Sequence, residues 1–412
     1  MLKGFGAGRQ RELSLCLMMS SGIMINYLDR VNISHALPTI TDEFRLTASE
    51  QGFVLSAFSL GYVGVMLLAG VLVDRLGAFR TAGLAAGAWS VATAASGVVL
   101  DTSALIVSRV AVGASEAPIF PANARLVREV IVAERRGFAI ALFDAGSYLG
   151  AAISAPIVVA VIVLAGWRVS FFVCALIGLL WVAAWFGLGP RLVESSLHTK
   201  NQVSWSDRTG GVSLLRQRRV WGASVGFFAY NYSKNFYLTW LPVYLMRDRG
   251  LTLPQIGVLG AVPPLFAICG DLWGGWWTDH LLKTRGSLTL ARKVPILVGL
   301  VLGASMSVVP CVLGDGWAVL LLCVAFGWNS SAAPAIWALP GDFSREGRWV
   351  GTLAGIQNTV ANLAGIVAPL VTGALVAWTG SFDMALAAYG AVAVLGAVGC
   401  HVLLTSVEPL TT

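Results

Sequence analysis

The chain has 412 residues, of which 57% are hydrophobic and 12% charged, and its mean hydropathy is +0.76. Those values exclude a soluble globular domain, and with it the nucleic-acid binding that a net charge of +7 would otherwise suggest. Apolar runs of about twenty residues recur over the whole length, so the spans are helices; barrel strands would be about ten residues of alternating polarity.

Twelve spans are predicted, over residues 14–37, 51–73, 80–100, 103–128, 137–164, 168–189, 220–246, 255–281, 293–314, 316–340, 350–376 and 383–405. The first 13 residues place Lys3, Arg9 and Arg11 ahead of an apolar run, the outline of a signal peptide. Asp29-Arg30 lies within that run and a long membrane protein follows, so it is taken as span 1. Twenty-one of the 28 Lys and Arg lie on the side of the N-terminus and of the loops after even-numbered spans, in those segments or at the span ends that meet them. Four (Arg45, Arg168, Arg247, Arg249) lie in the opposite loops and three (Arg30, Arg109, Lys234) within spans. Excess positive charge marks the cytoplasmic side, so both termini are expected there.

Residues 190–219 are polar and basic, with Lys200, Arg208 and Arg216. They are expected to be a cytoplasmic linker between an N-terminal six-helix half, 1–189, and a C-terminal half, 220–412. The halves echo each other. GVLVDRLGAFR (70–80) has a counterpart in GGWWTDHLLKTRG (274–286), and ERRGFAIALFDAG with SAPI (134–157) in EGRWVGTLAGI with VAPL (346–370). The offsets, about 205 and 213 residues, fit duplication of a six-helix unit, an arrangement that puts a substrate site between the halves near the midplane.

Span 4 contains RVAVGASEAPIFPANAR (109–125). Arg109 and Glu116 are about two helical turns apart and share a face that Phe120 and Asn123 continue. Pro118 and Pro121 remove backbone donors and bend the helix, which a bilayer tolerates where neighbouring helices or a wet cavity satisfy the freed carbonyls. That face is expected to line a cavity. The six cysteines (Cys16, Cys174, Cys269, Cys311, Cys323, Cys400) sit singly in apolar runs, which implies neither disulfide nor metal site, and no cofactor is expected.

The loop GVLVDRLGAFR resembles the signature between helices 2 and 3 of the major facilitator superfamily, through Gly70, Asp74, Arg75, Gly77 and Arg80, with Phe79 where a basic residue is common. NYLDRVNIS (26–34), GASEAPIFPANAR (113–125), FYLTWLPVYL (236–245), GGWWTDHLL (274–282), SLTLARKVPI (287–296) and NLAGIVAPLVTG (362–373) are similar to its anion:cation symporter branch, which carries sugar acids such as galactonate, glucarate and hexuronates, and other small organic anions. The resemblance implies an all-α membrane protein, twelve transmembrane helices in two pseudo-symmetric halves. It further implies proton-coupling groups at Asp29 on helix 1 and Glu116 on helix 4, with Arg109 and Arg30 beside them, a helix 2 tyrosine at Tyr62 and a helix 11 substrate asparagine at Asn358. Where the branch often has serine-glycine-glutamine on helix 5, this chain has Gly146-Ser147-Tyr148, so a shorter polar group stands at Ser147. Asp74, Arg75, Arg80 and, in the second half, Asp279 are the expected gating residues, Asp74 pairing with a cytoplasmic basic side chain.

Each charge within a span is costly and so needs an explanation. Glu116 is either a proton switch tuned by the approach of Arg109 or half of a permanent ion pair with it. Asp29 has the same two readings, and Arg30 either holds the anion with its planar fork or pairs with a neighbouring acid. Lys234 either binds a second anionic group or pairs with Asp271; Asp144 is a packing partner for Arg125 or Arg128, or a proton exit. Asn235, Asn358, Asn362 and Trp337 complete the expected substrate site, with Tyr232, Tyr237 and Trp240 as further candidate walls.

The expected function is proton-coupled uptake of a small organic anion by alternating access. Arg30 would bind the acid group, Asp29 and Glu116 carry protons, and Arg109 tune Glu116. A sugar acid is favoured by the resemblance. The shorter Ser147 and the presence of Lys234 point also to a small dicarboxylate or sulfonated carboxylate. An exchanger or exporter on the same fold is the alternative. An output domain is not expected from the short termini, and no nucleophile–base constellation or phosphate-cradling loop suggests an enzyme. The partners expected are the anion, protons and the bilayer of a bacterial inner membrane, with no nucleic acid and the protein a monomer.

Overall fold

The computed structural model describes residues 2–131, 135–193, 214–344 and 350–409. Lys200 and Arg208 of the linker, Arg345 and Arg348, and the side chain of Asp144 lie outside the described residues. All regular structure among the described residues is helical: α1 Leu2–Phe44, α2 Ala48–Leu76, α3 Ala78–Ser96, α4 Thr102–Glu116, α5 Ile119–Val130, α6 Arg136–Ala165, α7 Trp167–Val193, α8 Arg218–Asn235, α9 Leu241–Arg247, α10 Leu253–Leu259, α11 Val262–Arg285, α12 Leu288–Gly303, α13 Asp315–Ser331, α14 Ala333–Phe343, α15 Val350–Thr379 and α16 Asp383–Leu403. A bilayer offers backbone groups no water, so segments that cross it must bond internally, and helices do so.

Each of the twelve predicted spans coincides with a helix or with a run of abutting pieces, and the pieces explain the difference in number. Span 4 stops at Glu116 and restarts at Ile119, as Pro118 requires. The pieces of spans 7, 8 and 10 restart with Pro242, Pro263 and Pro334 in the first turn, where a missing N–H costs nothing. Span 7 also widens to a π-helix over Phe236–Trp240, and span 9 ends as a 3-10 helix over Ala304–Cys311. Among the described residues eight helices are long and apolar enough to cross a membrane, or nine with α2 counted as one bent span. The helices of spans 1 and 7 carry clustered polar residues, Asn26, Asp29, Arg30 and Asn32 in one and Asn231, Lys234 and Asn235 in the other.

The chain forms two compact units. The first comprises Met1–Leu46, Ala57–Gln202 and Thr252–Ala261, and the second Thr47–Ser56, Val203–Leu251 and Val262–Thr412. The cut therefore falls near the basic linker, but two short segments join the opposite set: Gly257 of α10 packs on Val159 of α6, and Gly52 on Pro369 and Gly373 of α15. Within the first unit α1 packs on α6 and α7, and α3 on α4 and α7. Within the second, α8 packs on α15 and α16, and α12 on α13 and α16. These are the same pairings six spans on, as a duplicated unit requires.

Glycine sets the tightest crossings. A Cβ on Gly113 of α4 would stand 2.8 Å from the Phe58 carbonyl carbon of α2, and one on Gly61 of α2 2.9 Å from the Val110 carbonyl carbon. In the second unit, Gly270 and Gly274 of α11 meet Gly327 and Ser331 of α13 in the same way. Gly77, between α2 and α3, has φ 83°, a left-handed conformation that accounts for glycine at that place in the DRLG loop.

Candidate functional site

Four ionisable side chains gather inside the first unit. Asp29 and Arg30 come from α1, and Arg109 and Glu116 from α4. Asp29, Arg109 and Glu116 are at most 1% exposed, and the Arg30 side chain is 18% exposed. Arg30 donates to Glu116 Oε2 through Nη2 at 2.9 Å and through Nε at 3.3 Å. Its guanidinium lies 4.4 Å from the ring centre of Phe58, 4.8 Å from Tyr27 and 5.3 Å from Tyr62. Asn26, one turn before Arg30, stands beside the same carboxylate.

The Arg109 guanidinium lies 5.5 Å from the ring centre of Phe58. None of its three side-chain nitrogens has a hydrogen-bond partner among the described residues, although Asp29 and Glu116 both lie within its electrostatic range. Asp29 accepts from the Thr93 hydroxyl of α3 at 2.6 Å, and its other oxygen has no partner among the described residues. Two cations and two carboxylates thus balance in an apolar interior, where any uncompensated charge costs several kcal/mol.

The ion pair differs from the one the sequence offered. Glu116 is paired with Arg30 across helices rather than with Arg109 along its own helix. Seven residues of α-helix rise about 10 Å, too far for two side chains of one straight helix to meet end to end. The stripe of span 4 is closed in by α1, α2 and α3, with Asn123 also buried and Phe120 half-buried. Sequence reasoning missed Phe58 and Thr93. Phe58 precedes Tyr62 by one turn and stacks on it at 5.9 Å, a spacing that could have signalled it; a lone threonine among alanines gave no signal.

Ser147, on α6, is buried in the same unit. The other substrate candidates belong to the second unit. Lys234 is half-buried with Nζ 5.9 Å from the Tyr230 ring centre. Asn235 caps the π-helical stretch and donates back to the Asn231 carbonyl at 2.8 Å. Asn362 donates to the Asn358 carbonyl at 2.8 Å, one turn away on α15. Trp337 is 48% exposed and meets Phe227 edge-on at 4.9 Å. Tyr232, Tyr237 and Trp240 are buried in aromatic packing of that unit, Tyr237 stacking on Phe326 at 4.0 Å.

Of the gating candidates, Asp74 pairs with Arg125 of α5, which also holds Glu129. This joins the end of α2 to α5 within one unit. Arg75, Arg80 and Asp279 are exposed. Among the described residues no group of three or more His, Cys, Asp or Glu is placed to hold a metal.

Comparison with known proteins agrees with this architecture. The sequence pattern of the Major Facilitator Superfamily matches residues 19–369. The chain is 34% identical to the probable sulfoacetate transporter of Cupriavidus necator, covering 93% of this chain and 91% of that one. It is 32% identical to the probable L-galactonate transporter of Escherichia coli, covering 94% and 88%, and 31% identical to the hexuronate transporter of Bacillus subtilis, covering 94% and 93%. In three dimensions it is similar to a bacterial homologue of the human lysosomal transporter Spinster in an inward-facing, occupied conformation, with TM-score 0.77 and 15% identity over 95% of this chain and 97% of that one. The chain belongs to the major facilitator superfamily, and is a multi-pass membrane transporter and not an enzyme.

Proposed function

We propose that this superfamily member takes up a small organic anion together with protons, by alternating access of its two halves. The observation that carries the reading is the Arg30–Glu116 pair inside a balanced set of four charges. An anion that claims the Arg30 fork competes with the Glu116 carboxylate for it. Displaced from Arg30, Glu116 would be an uncompensated charge away from water, and the cheapest remedy is to take up a proton. Anion binding and protonation are then one linked event. Arg109, charged and without a hydrogen-bonding partner among the described residues, keeps the field positive while Asp29 carries the second titrating site.

The substrate is a sugar acid or a small dicarboxylate or sulfonated carboxylate; the names of the relatives span sulfoacetate, L-galactonate and hexuronate. Tyr62, Ser147, Lys234, Asn235, Trp337, Asn358 and Asn362 complete its site, and Asp74, Arg75, Arg80 and Asp279 serve the gates. The protein works as a monomer in a bacterial inner membrane with both termini cytoplasmic, the orientation favoured by the Lys and Arg bias.

A thermal-stabilisation panel on the purified protein, with sulfoacetate, galactonate, a hexuronate and C4 dicarboxylates, tests the anion site. At least one should stabilise wild type and lose its effect in Arg30→Ala, with Arg30→Lys intermediate because a point charge replaces a fork. Equal stabilisation of wild type and Arg30→Ala would remove Arg30 from the site. In liposomes, uptake that depends on counter-substrate and not on a proton gradient would move the assignment to an exchanger.

A further inference from the structure

Asp29 is sealed inside the first unit, so any proton that reaches it needs a route. The groups that face it are Thr93 from α3, Arg109 and Glu116 from α4 and Cys174 from α7, with Arg30 next to it on α1. Toward α2 and α4 the space is taken by the Arg30–Glu116 pair and the Phe58 ring. Toward α7, Cys174 lies within electrostatic range of Asp29, and from it a string of polar side chains runs toward the end of α1 and the start of α7. Asn32 Nδ2 lies 3.5 Å from Cys174 Sγ, and the Ser170 hydroxyl lies 2.9 Å from Asn32 Oδ1. All three residues are at most 2% exposed. One turn before Ser170, the Trp167 indole donates to Glu43 at 2.7 Å, where the Glu43 side chain is 41% exposed.

This string makes a poor tether. The Ser170 hydroxyl has one proton and two acceptors, Asn32 Oδ1 and the Trp167 carbonyl at 2.7 Å, so it satisfies one at a time. The amide-to-sulfur contact is weak, and one oxygen of Asp29 has no partner among the described residues. Burying an amide, a hydroxyl and a thiol between two helices for such bonds gains little stability over apolar packing. A second polar pair, Ser96 with Ser108 at 3.0 Å, joins α3 to α4 rather than α1 to α7, and its hydroxyls also reach the Ala92 and Leu105 carbonyls of their own helices.

We infer that the Asn32–Ser170–Cys174 seam between α1 and α7 is the path by which protons from the Glu43 end reach Asp29, separate from the path of the anion. A hydronium ion at the rim gives up its proton, which is handed on by water that the seam's hydroxyl, amide and thiol hold, none of them protonated itself, to the Asp29 carboxylate, and water is left behind. Asp29 surrenders that proton on the opposite side later in the cycle. Asn32, Ser170 and Cys174 are positioning residues here. The inference rests on the reading that Asp29 takes part in proton coupling.

The test uses the full chain in proteoliposomes with labelled galactonate and sulfoacetate, comparing uptake driven by an inward proton gradient with counterflow at equal pH, which needs no net proton movement. Asn32→Val and Ser170→Ala should slow gradient-driven uptake at least tenfold and flatten its pH dependence, while counterflow stays within twofold of wild type. Cys174→Ser, which keeps a hydroxyl in the seam, should lie nearer wild type than Cys174→Val, and Ser96→Ala should be unaffected. Gradient-driven uptake within twofold of wild type in both Asn32→Val and Ser170→Ala, with Asp29→Asn inactive in that assay, would overturn the path and leave the coupling role of Asp29 standing. Loss of counterflow to the same degree as driven uptake would also overturn it, by making the seam a packing element. If Asp29→Asn is driven as well as wild type, the coupling reading itself falls.

Discussion

Replacing Gly113 with alanine should loosen the candidate site without touching any of its charges. The added Cβ would stand 2.8 Å from the Phe58 carbonyl carbon and 3.0 Å from the Tyr62 nitrogen, and closer still to the Phe58 oxygen. Ordinary contact begins at 3.4 Å, so α2 and α4 must separate by at least about 0.6 Å, and both obstacles are backbone. Overpacking of this kind costs about 1–3 kcal/mol. Moving Phe58 away from Arg30 and Arg109 weakens two cation–π contacts worth about 0.5–2 kcal/mol each in a desolvated setting. Thermal unfolding of the purified protein should show a clear drop for Gly113→Ala, and anion stabilisation should weaken with it. Gly87→Ala is the control, because a Cβ there meets nothing within 4 Å. It should be neutral or gain about 0.5–1 kcal/mol from helix propensity. Equal stability of Gly113→Ala and Gly87→Ala would refute the claim that glycine sets this crossing.

Arg30→Met should destabilise the protein by about 3–5 kcal/mol, because it strands the Glu116 charge; adding Glu116→Gln should recover part of the loss, measured as a double-mutant cycle. Asp74→Asn should change stability by no more than about 1 kcal/mol, since Asp74 and Arg125 are 45% and 37% exposed, and the change should shrink in high salt. Glu43, beyond the end of span 1, is held below the usual carboxylate range by hydrogen bonds from Arg168 and Trp167. A depressed folded value means its contribution is present above the unfolded value near 4.5 and is lost as the pH falls through the folded one. Glu43→Gln should therefore lower stability at pH 7 and flatten its fall on acidification, as followed by unfolding midpoints across pH.

The helices were legible because a run long enough to cross a bilayer stands out in any sequence. The internal duplication was legible from the echo of 70–80 in 274–286. Asp29, Arg30, Arg109 and Glu116 stood out because a charge within an apolar run is rare. Their partners were hidden, since Arg30 and Glu116 are 86 residues apart and no local periodicity relates α1 to α4. The sequence therefore offered Glu116 its nearest cation on the same helix, and tertiary packing supplied another. Asp74 was expected to meet a basic residue, but which one depended on how α5 lies against the end of α2. Phe58 was signalled only by its one-turn spacing from Tyr62, and Ser170 and Cys174 of the seam had no signal of their own, because serine and cysteine are ordinary within membrane helices.

The most direct test of the account is proton movement accompanying uptake. Wild type, Glu116→Gln and Asp29→Asn would be placed in liposomes with a pH-sensitive dye inside, and the anion that stabilises the protein added outside without an imposed gradient. The account predicts that wild type acidifies the lumen as the anion enters, and that Glu116→Gln still binds the anion but neither moves protons nor accumulates it against a gradient. Entry of the anion into wild-type liposomes with no change in luminal pH, or accumulation by Glu116→Gln equal to wild type, would contradict it.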